Sequence, residues 1–160
     1  MNIQEICEYI LKNINENISP EQIAELFHYN KSYMMRKFKE YTGFTINEFI
    51  NECRVYNSTK PLIYTDYSIL KIAITNGFNS LEYYSEKFKD IIGTSPLKFR
   101  QIYSYLLEVA NNSKNPDELR YIKETITQLQ DYQEYLYSIG NTTSNEKNKN
   151  ISKPKVKKLN

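Results

Sequence analysis

The feature that most constrains the fold of this 160-residue chain is a pattern written twice, about fifty residues apart. In the first copy, Ser19-Pro20-Glu21-Gln22 supplies an N-cap, a proline at the first helical position and a glutamine three residues after the serine. The helix this starts runs to about Phe27 and buries Ile23, Ala24 and Phe27. His28-Tyr29-Asn30 interrupts it, Asn30 caps a longer helix with Met34 and Phe38 inward, and Thr42-Gly43 ends that helix. In the second copy, Ser68 caps a helix holding Ile69, Ile72 and Ala73, and Asn76-Gly77-Phe78 makes the turn. Asn79 or Ser80 then caps a helix with Tyr84 and Phe88 inward, which Gly93 stops. Short helix, tight turn, longer helix, produced twice, is not a chance arrangement.

Around the copies the pattern stays helical. Ile3, Ile6, Cys7, Ile10, Leu11 and Ile14 recur at the spacing of one face of an amphipathic helix. Ile46 to Tyr64 connects the copies and reads as helix in its first half. Ser95-Pro96 opens another helix, from Leu97 to about Val109, and Asn111 to Asn115 is a polar linker. Pro116-Asp117-Glu118 begins a last helix that runs to about Ile139 and stops at Gly140. Residues 141–160 are rich in Asn, Ser, Thr and Lys with almost nothing apolar, the composition of a disordered basic tail. The pattern predicts an all-α chain: two units of short helix, tight turn and longer helix at about 19–43 and 68–93, a helical segment between them, a C-terminal helix and the tail.

Composition narrows the function by exclusion. Cys7 and Cys53 lie far apart and have no other metal-ligating residues near them, so neither a zinc site nor a disulfide framework is expected. Both fall at helix-core positions, where a free thiol behaves as a small hydrophobe. One histidine, no glycine-rich loop and no Cys–His or carboxylate constellation leave no candidate for catalysis, and no cofactor is expected. No apolar run approaches the roughly 18 to 20 residues of a membrane span. The N-terminus lacks the basic-then-apolar order of a signal peptide, so a cytoplasmic location is expected. Charge is uneven along the chain. Residues 1–103 carry twelve basic and twelve acidic side chains, 104–140 three and six, and 141–160 six lysines and one glutamate. A neutral body is not a strong phosphate binder, so any nucleic-acid surface must be a local patch.

The repeat resembles the DNA-binding region of the AraC/XylS family of bacterial transcription regulators over roughly Ile3 to Arg100. The second copy carries the resemblance best: Ser68, Ile69, Ile72-Ala73 and Gly77-Phe78, then Tyr84-Ser85, Phe88-Lys89, Gly93, Ser95-Pro96 and Phe99-Arg100. The first copy agrees through Ile23-Ala24-Glu25, Ser32-Tyr33-Met34, Arg36, Phe38-Lys39 and Thr42-Gly43. The resemblance implies an all-α fold of two helix-turn-helix subdomains joined by a connecting helix in a homeodomain-like arrangement, with two recognition helices entering successive major grooves on one side of DNA, about 34 Å apart. It also implies a DNA-binding domain over 1–103, followed by the C-terminal helix at 116–140 and the tail at 141–160. With it come a regulator without catalytic activity and a cytoplasmic, nucleoid-associated location.

Each longer helix then presents an outward stripe. In the first copy this is Ser32, Met35, Arg36 and Lys39, with Lys31 and Lys37 at its margins. Arg36 stands where the family commonly places a base-reading arginine, whose fork suits guanine O6 and N7. Ser32 suits a base edge or a phosphate, Met35 a thymine methyl, and the lysines phosphates. The plainer alternative is a solvated basic helix face. In the second copy the stripe is Glu82, Ser85, Glu86 and Lys89, preceded by Leu81. Two carboxylates depart from the family's neutral or basic habit and oppose phosphate, although a glutamate can accept from cytosine N4. Pro61 is a second departure, where the family usually has an apolar residue. A proline inside a helix costs about 3 kcal/mol or more, which predicts a kink or a stop near Lys60, or a helix that ends there with Pro61 opening the turn.

In the C-terminal helix, Leu119, Ile122, Ile126, Leu129, Gln133 and Leu136 fall at a heptad spacing. Three readings stand: a homodimer through 119–136, a helix packed back on the domain, or the start of a linker to a further domain. The leading functional expectation is a sequence-specific regulator reading double-stranded DNA chiefly through 31–40. The alternative is an interaction module that binds another regulator or RNA polymerase, with a degenerate second DNA-binding unit.

Overall fold

The computed structural model describes residues 1–140 together with Lys153 and Pro154. Among these residues every regular element is α-helical: α1 (Ile3–Lys12), α2 (Pro20–Leu26), α3 (Lys31–Thr42), α4 (Ile46–Tyr64), α5 (Ile69–Thr75), α6 (Leu81–Ile92), α7 (Pro96–Asn112) and α8 (Pro116–Ser138). No helix among them is long and apolar enough to cross a membrane.

Local chemistry places most helix ends. Ser19 and Gln22 close a capping box at α2, with Pro20 supplying the first helical residue. Asn30, Ser68, Ser80 and Ser95 each accept a backbone N–H at the starts of α3, α5, α6 and α7. Gly43 and Gly93 terminate α3 and α6 in the left-handed region. The turn between α2 and α3 also needs a positive φ, and there His28 supplies it at 58°, where Gly77 does so in the second copy.

The connecting helix α4 is the axis of the core. Phe49, Cys53, Val55, Tyr56, Ser58 and Leu62 are all buried, so its surface is covered nearly all round. α3 and α6 lie against it with Met34, Phe38, Tyr84 and Phe88 fully buried, as the repeat predicts. Aromatic contacts carry the packing onward, Phe38 edge-to-face on Phe49 and Phe88 edge-to-face on Phe99. Cys7 and Cys53 are free and buried, and burial pushes the Cys7 thiol up to about 12.

The structure corrects the expectation for Pro61. α4 neither stops near Lys60 nor ends with Pro61 opening a turn; it continues to Tyr64. Pro61 lies in the last turn, so it deprives only the Asn57 carbonyl of its helical donor, and tertiary contacts stabilise the residues after it. Leu62 and Ile63 are buried, Thr65 donates its N–H and hydroxyl to the Pro61 carbonyl, and Arg100 donates to the carbonyls of Leu62 and Thr65. A second correction concerns α7, which extends to Asn112, so the polar linker shortens to Ser113–Asn115.

The C-terminal helix is packed back on the domain. Ile122, Leu129, Tyr132 and Leu136 are buried, and Tyr132 lies 4.7 Å from Tyr56 between ring centroids. Gln133, the polar member of the heptad, donates to Asn57 Oδ1 at 2.7 Å, and Asn57 donates to the Tyr137 hydroxyl. The seam from 119 to 136 that suited a homodimer is therefore largely occupied by α4 of the same chain. Of the tail expected to be disordered, all but Lys153 and Pro154 lies outside the described residues. Lys153 pairs with Glu52 on α4 at 2.5 Å.

Candidate nucleic-acid interface

α3 and α6 are the same object built twice, and the register is legible residue by residue. Both are twelve residues long, begin after a side-chain cap and end on a left-handed glycine. Counted from the cap, Met34 matches Tyr84, Phe38 matches Phe88, and Thr42 matches Ile92, all buried. These contacts fix the rotation of each helix, so the opposite faces must point outward.

On α3 that face holds Ser32, Arg36 and Lys39, all exposed, with Met35 and Lys37 half-buried at its edge. The charges are not equally available. Lys31 pairs with Glu21 at the start of α2 at 2.5 Å, and this hydrogen bond holds the Glu21 carboxyl below its ordinary value. Lys37 pairs with Glu40 at 3.1 Å. Arg36 has no carboxylate partner among the described residues; its guanidinium lies 5.5 Å from the centre of the Tyr33 ring. A cation–π contact engages the charge without using the guanidinium's donors, which leaves them for an incoming acceptor. Lys39 carries no ion pair among the described residues either.

Tyr33 is the residue that sequence reasoning missed. It is 42 % exposed and sits beneath both Arg36 and Lys37. Its signal was available: an aromatic three and four residues before Arg36 and Lys37, with the tyrosine and the lysine four residues on repeated in the second copy as Tyr83 and Lys87. Tyr83 lies 5.5 Å below Lys87, the equivalent of Lys37, and its hydroxyl accepts from Asn51 on α4 at 3.1 Å.

On α6 the matching face carries Glu82 and Glu86, exposed, with Ser85 and Leu81 half-buried and Lys89 exposed near the end. Glu86 occupies the register position of Arg36, so the charge at equivalent points is reversed. Glu82 has a structural reason to be acidic, because it lies in the first turn, where the helix dipole favours negative charge. Glu86 lies mid-helix, flanked four residues away by Glu82 and Asp90, like charges that are unfavourable at that spacing, and three residues away by the single opposite charge of Lys89. The structure thus gathers Ser32, Arg36 and Lys39 into one open basic face and Glu82, Glu86 and Lys89 into a mixed one, with Lys31 and Lys37 engaged at the margins of the first.

Comparison with known proteins agrees with this geometry. A family profile described as "Helix-turn-helix domain" matches residues 23–102, which take in the first copy from its Ile23 onward and the whole of the second. The bifunctional transcriptional activator/DNA repair enzyme AdaA of Bacillus subtilis (strain 168) is 38% identical over 109 residues, covering 68% of this chain and 51% of that protein. An uncharacterized HTH-type transcriptional regulator of Staphylococcus aureus (strain COL) is 28% identical over 130 residues, 81% of this chain and 17% of that protein. The chain thus spans about half or less of the length of these curated relatives. Among solved structures, the DNA-binding domain of AdpA, determined in complex with a target DNA, superposes with a TM-score of 0.61 at 23% identity, covering 71% of this chain and 98% of that one. With two matched helix-turn-helix units on one connecting helix, a profile match across both and the same fold in AdpA, this chain belongs to the AraC-type helix-turn-helix family.

Proposed function

We propose that this chain binds double-stranded DNA as the reading unit of a transcription regulator, with α3 as the principal recognition helix and α6 as a weaker second one. The observation that carries the proposal is Arg36: exposed, free of any carboxylate among the described residues and in cation–π contact with Tyr33 at 5.5 Å, on a helix whose inner face is locked by Met34 and Phe38. An arginine held that way suits bidentate bonding to guanine O6 and N7. Lys39, with Lys31 and Lys37 once they exchange their carboxylates, serves phosphates, and Ser32 and Met35 add contacts to a base edge or a thymine methyl. On α6, Ser85 and Lys89 contribute, while Glu82 and Glu86 oppose phosphate and suit only a donor such as cytosine N4. Leu81 sits at the edge of that face.

A second reading has one observation in its favour. Tyr67, Leu70 and Ile74, around and along α5, are 46 %, 48 % and 57 % exposed, an apolar surface of the kind a second regulator or RNA polymerase would cover.

Selection from random double-stranded DNA at two salt concentrations tests the reading. Wild type enriches a motif, and Arg36→Ala loses preference at one guanine, worth about 1–3 kcal/mol. Lys39→Ala weakens all sequences alike and lowers the salt slope by about one. Absence of any enriched motif would refute the proposal and leave the partner-binding reading.

A further inference from the structure

Three segments meet at one buried guanidinium. Arg54 lies near the middle of α4 and is 9 % exposed. Its Nε donates to the Ile14 carbonyl at 2.8 Å and its Nη2 to the Glu16 carbonyl at 2.6 Å, both in the loop that leads from α1 into α2. On its other side lies the turn of the second copy: a Cβ built at Gly77 would stand 2.8 Å from Arg54 Nε and 3.0 Å from the Ile14 carbonyl oxygen. The leading loop of the first unit, the connecting helix and the turn of the second unit are thus in contact through one side chain.

The chemistry of that contact is unusual for a structural arginine. No carboxylate pairs with Arg54 among the described residues, and its charge is satisfied by backbone carbonyls alone. A buried cation without a counter-ion carries a desolvation cost that an apolar side chain of similar length would avoid. A guanidinium does what no apolar residue can: its planar fork fixes two backbone oxygens at defined distances and directions. The bonds to Ile14 and Glu16 locate the first unit on α4. The crowding at Gly77, which admits no side chain, locates the second unit against the same group. Two further polar ties, from the Tyr84 hydroxyl to Ser58 at 2.8 Å and from Asn51 to the Tyr83 hydroxyl at 3.1 Å, join the second unit to α4 and do not reach the first.

We infer that Arg54 is a positioning residue that sets the separation and relative rotation of α3 and α6, and through them the spacing between two DNA boxes that the protein accepts. This rests on the DNA-reading function proposed above and adds to it a residue that never touches DNA. One added base pair moves the second box about 3.4 Å along the axis and turns it by roughly 34°, so a rigid pair of reading helices must discriminate sharply between spacings.

The test uses the full chain and DNA duplexes carrying the two selected boxes, with centre-to-centre spacings from about 8 to about 13 base pairs. Binding of wild type falls about tenfold for each base pair away from the best spacing, a change of about 1.4 kcal/mol. Arg54→Met flattens that dependence to about threefold or less, while binding to each box alone and the bases preferred within it stay as in wild type. Arg54→Lys keeps the charge and one bond at most; it shows an intermediate profile and keeps the test open if the methionine variant does not fold. A wild-type spacing profile in a folded Arg54 variant would overturn the inference, as would equal losses on single boxes and on the pair, since these indicate a general structural role. A wild-type motif with one box only would also overturn it, leaving the DNA-reading function standing. No motif of any kind would instead remove the function on which the inference rests.

Discussion

Replacing Gly77 by alanine probes the junction between the two helix-turn-helix units, and the chain contains its own controls. Gly43, Gly77 and Gly93 have φ of 84°, 89° and 99°, so an alanine at any of them must occupy the left-handed region. That conformation costs a non-glycine residue roughly 1–2 kcal/mol. Loss of the glycine's freedom in the unfolded chain returns about 0.4–1 kcal/mol. At Gly43 and Gly93 a new Cβ meets nothing within 4 Å, so the net loss is on the order of 0.5–1.5 kcal/mol. At Gly77 the same methyl group would lie 2.8 Å from Arg54 Nε, the atom that donates to Ile14. The guanidinium cannot yield without stretching that bond, and a hydrogen bond from a charged donor is worth about 1.5–3 kcal/mol. Gly77→Ala therefore loses about 2–4.5 kcal/mol, a fall in melting midpoint of roughly 5–15 °C for a chain of this size. Urea unfolding with linear extrapolation measures all three variants, with unchanged m values expected. If Gly77→Ala is no worse than Gly43→Ala, Arg54 does not crowd the Gly77 turn and the two units are not joined in this way.

Leu136, Glu52 and Glu86 offer three further tests. Leu136 on α8 is fully buried within the chain, so Leu136→Ala lowers unfolding free energy by about 2–5 kcal/mol in a protein that sediments as a monomer; a wild-type dimer that dissociates in this variant would instead restore the dimerisation reading of 119–136. Burial pushes the Glu52 carboxyl above its ordinary 4.5, opposed by the hydrogen bond from Lys153. The folded state therefore holds that proton more tightly, stability is greatest below the unfolded value, and it declines as pH rises through the folded one. Unfolding measured from about pH 4 to about pH 8 falls more steeply for wild type than for Glu52→Gln, and most steeply for Lys153→Ala; parallel profiles would show that Glu52 is not buried as described. Glu86→Gln removes a carboxylate from the register position of Arg36, so overall DNA affinity rises and any cytosine preference in the second box moves towards adenine. A fall in affinity in the selection assay would mean that Glu86 is not facing DNA.

Much of this protein is decided locally, and those parts were open to reading from the residues. Helix ends depend on side chains within three or four positions, as with Ser19 and Gln22, Asn30, or Gly43, so the caps and turns could be placed without knowing the partners. The same holds for the inward positions of α3 and α6, because a period near 3.6 assigns a face once the helix is granted, and the outward stripe around Arg36 is its complement. The family resemblance then implied the arrangement on α4. What the sequence left open depends on groups far apart along the chain. Pro61 argued for a break in α4, and the donors from Arg100, distant in sequence, with the burial of Leu62 and Ile63, stabilise the helix beyond it. The heptad on α8 was compatible with a second chain or with this one, because an apolar seam has no direction; its contacts with Tyr56 and Asn57 of α4 exist only in the folded chain. Arg54 reads as one more charge on a helix, and its part in joining Ile14, Glu16 and Gly77 exists only when separations of about forty and about twenty residues are closed by folding. Periodicity and capping are short-range and survive in a string of letters, whereas burial and the satisfaction of polar groups are properties of what finally surrounds them.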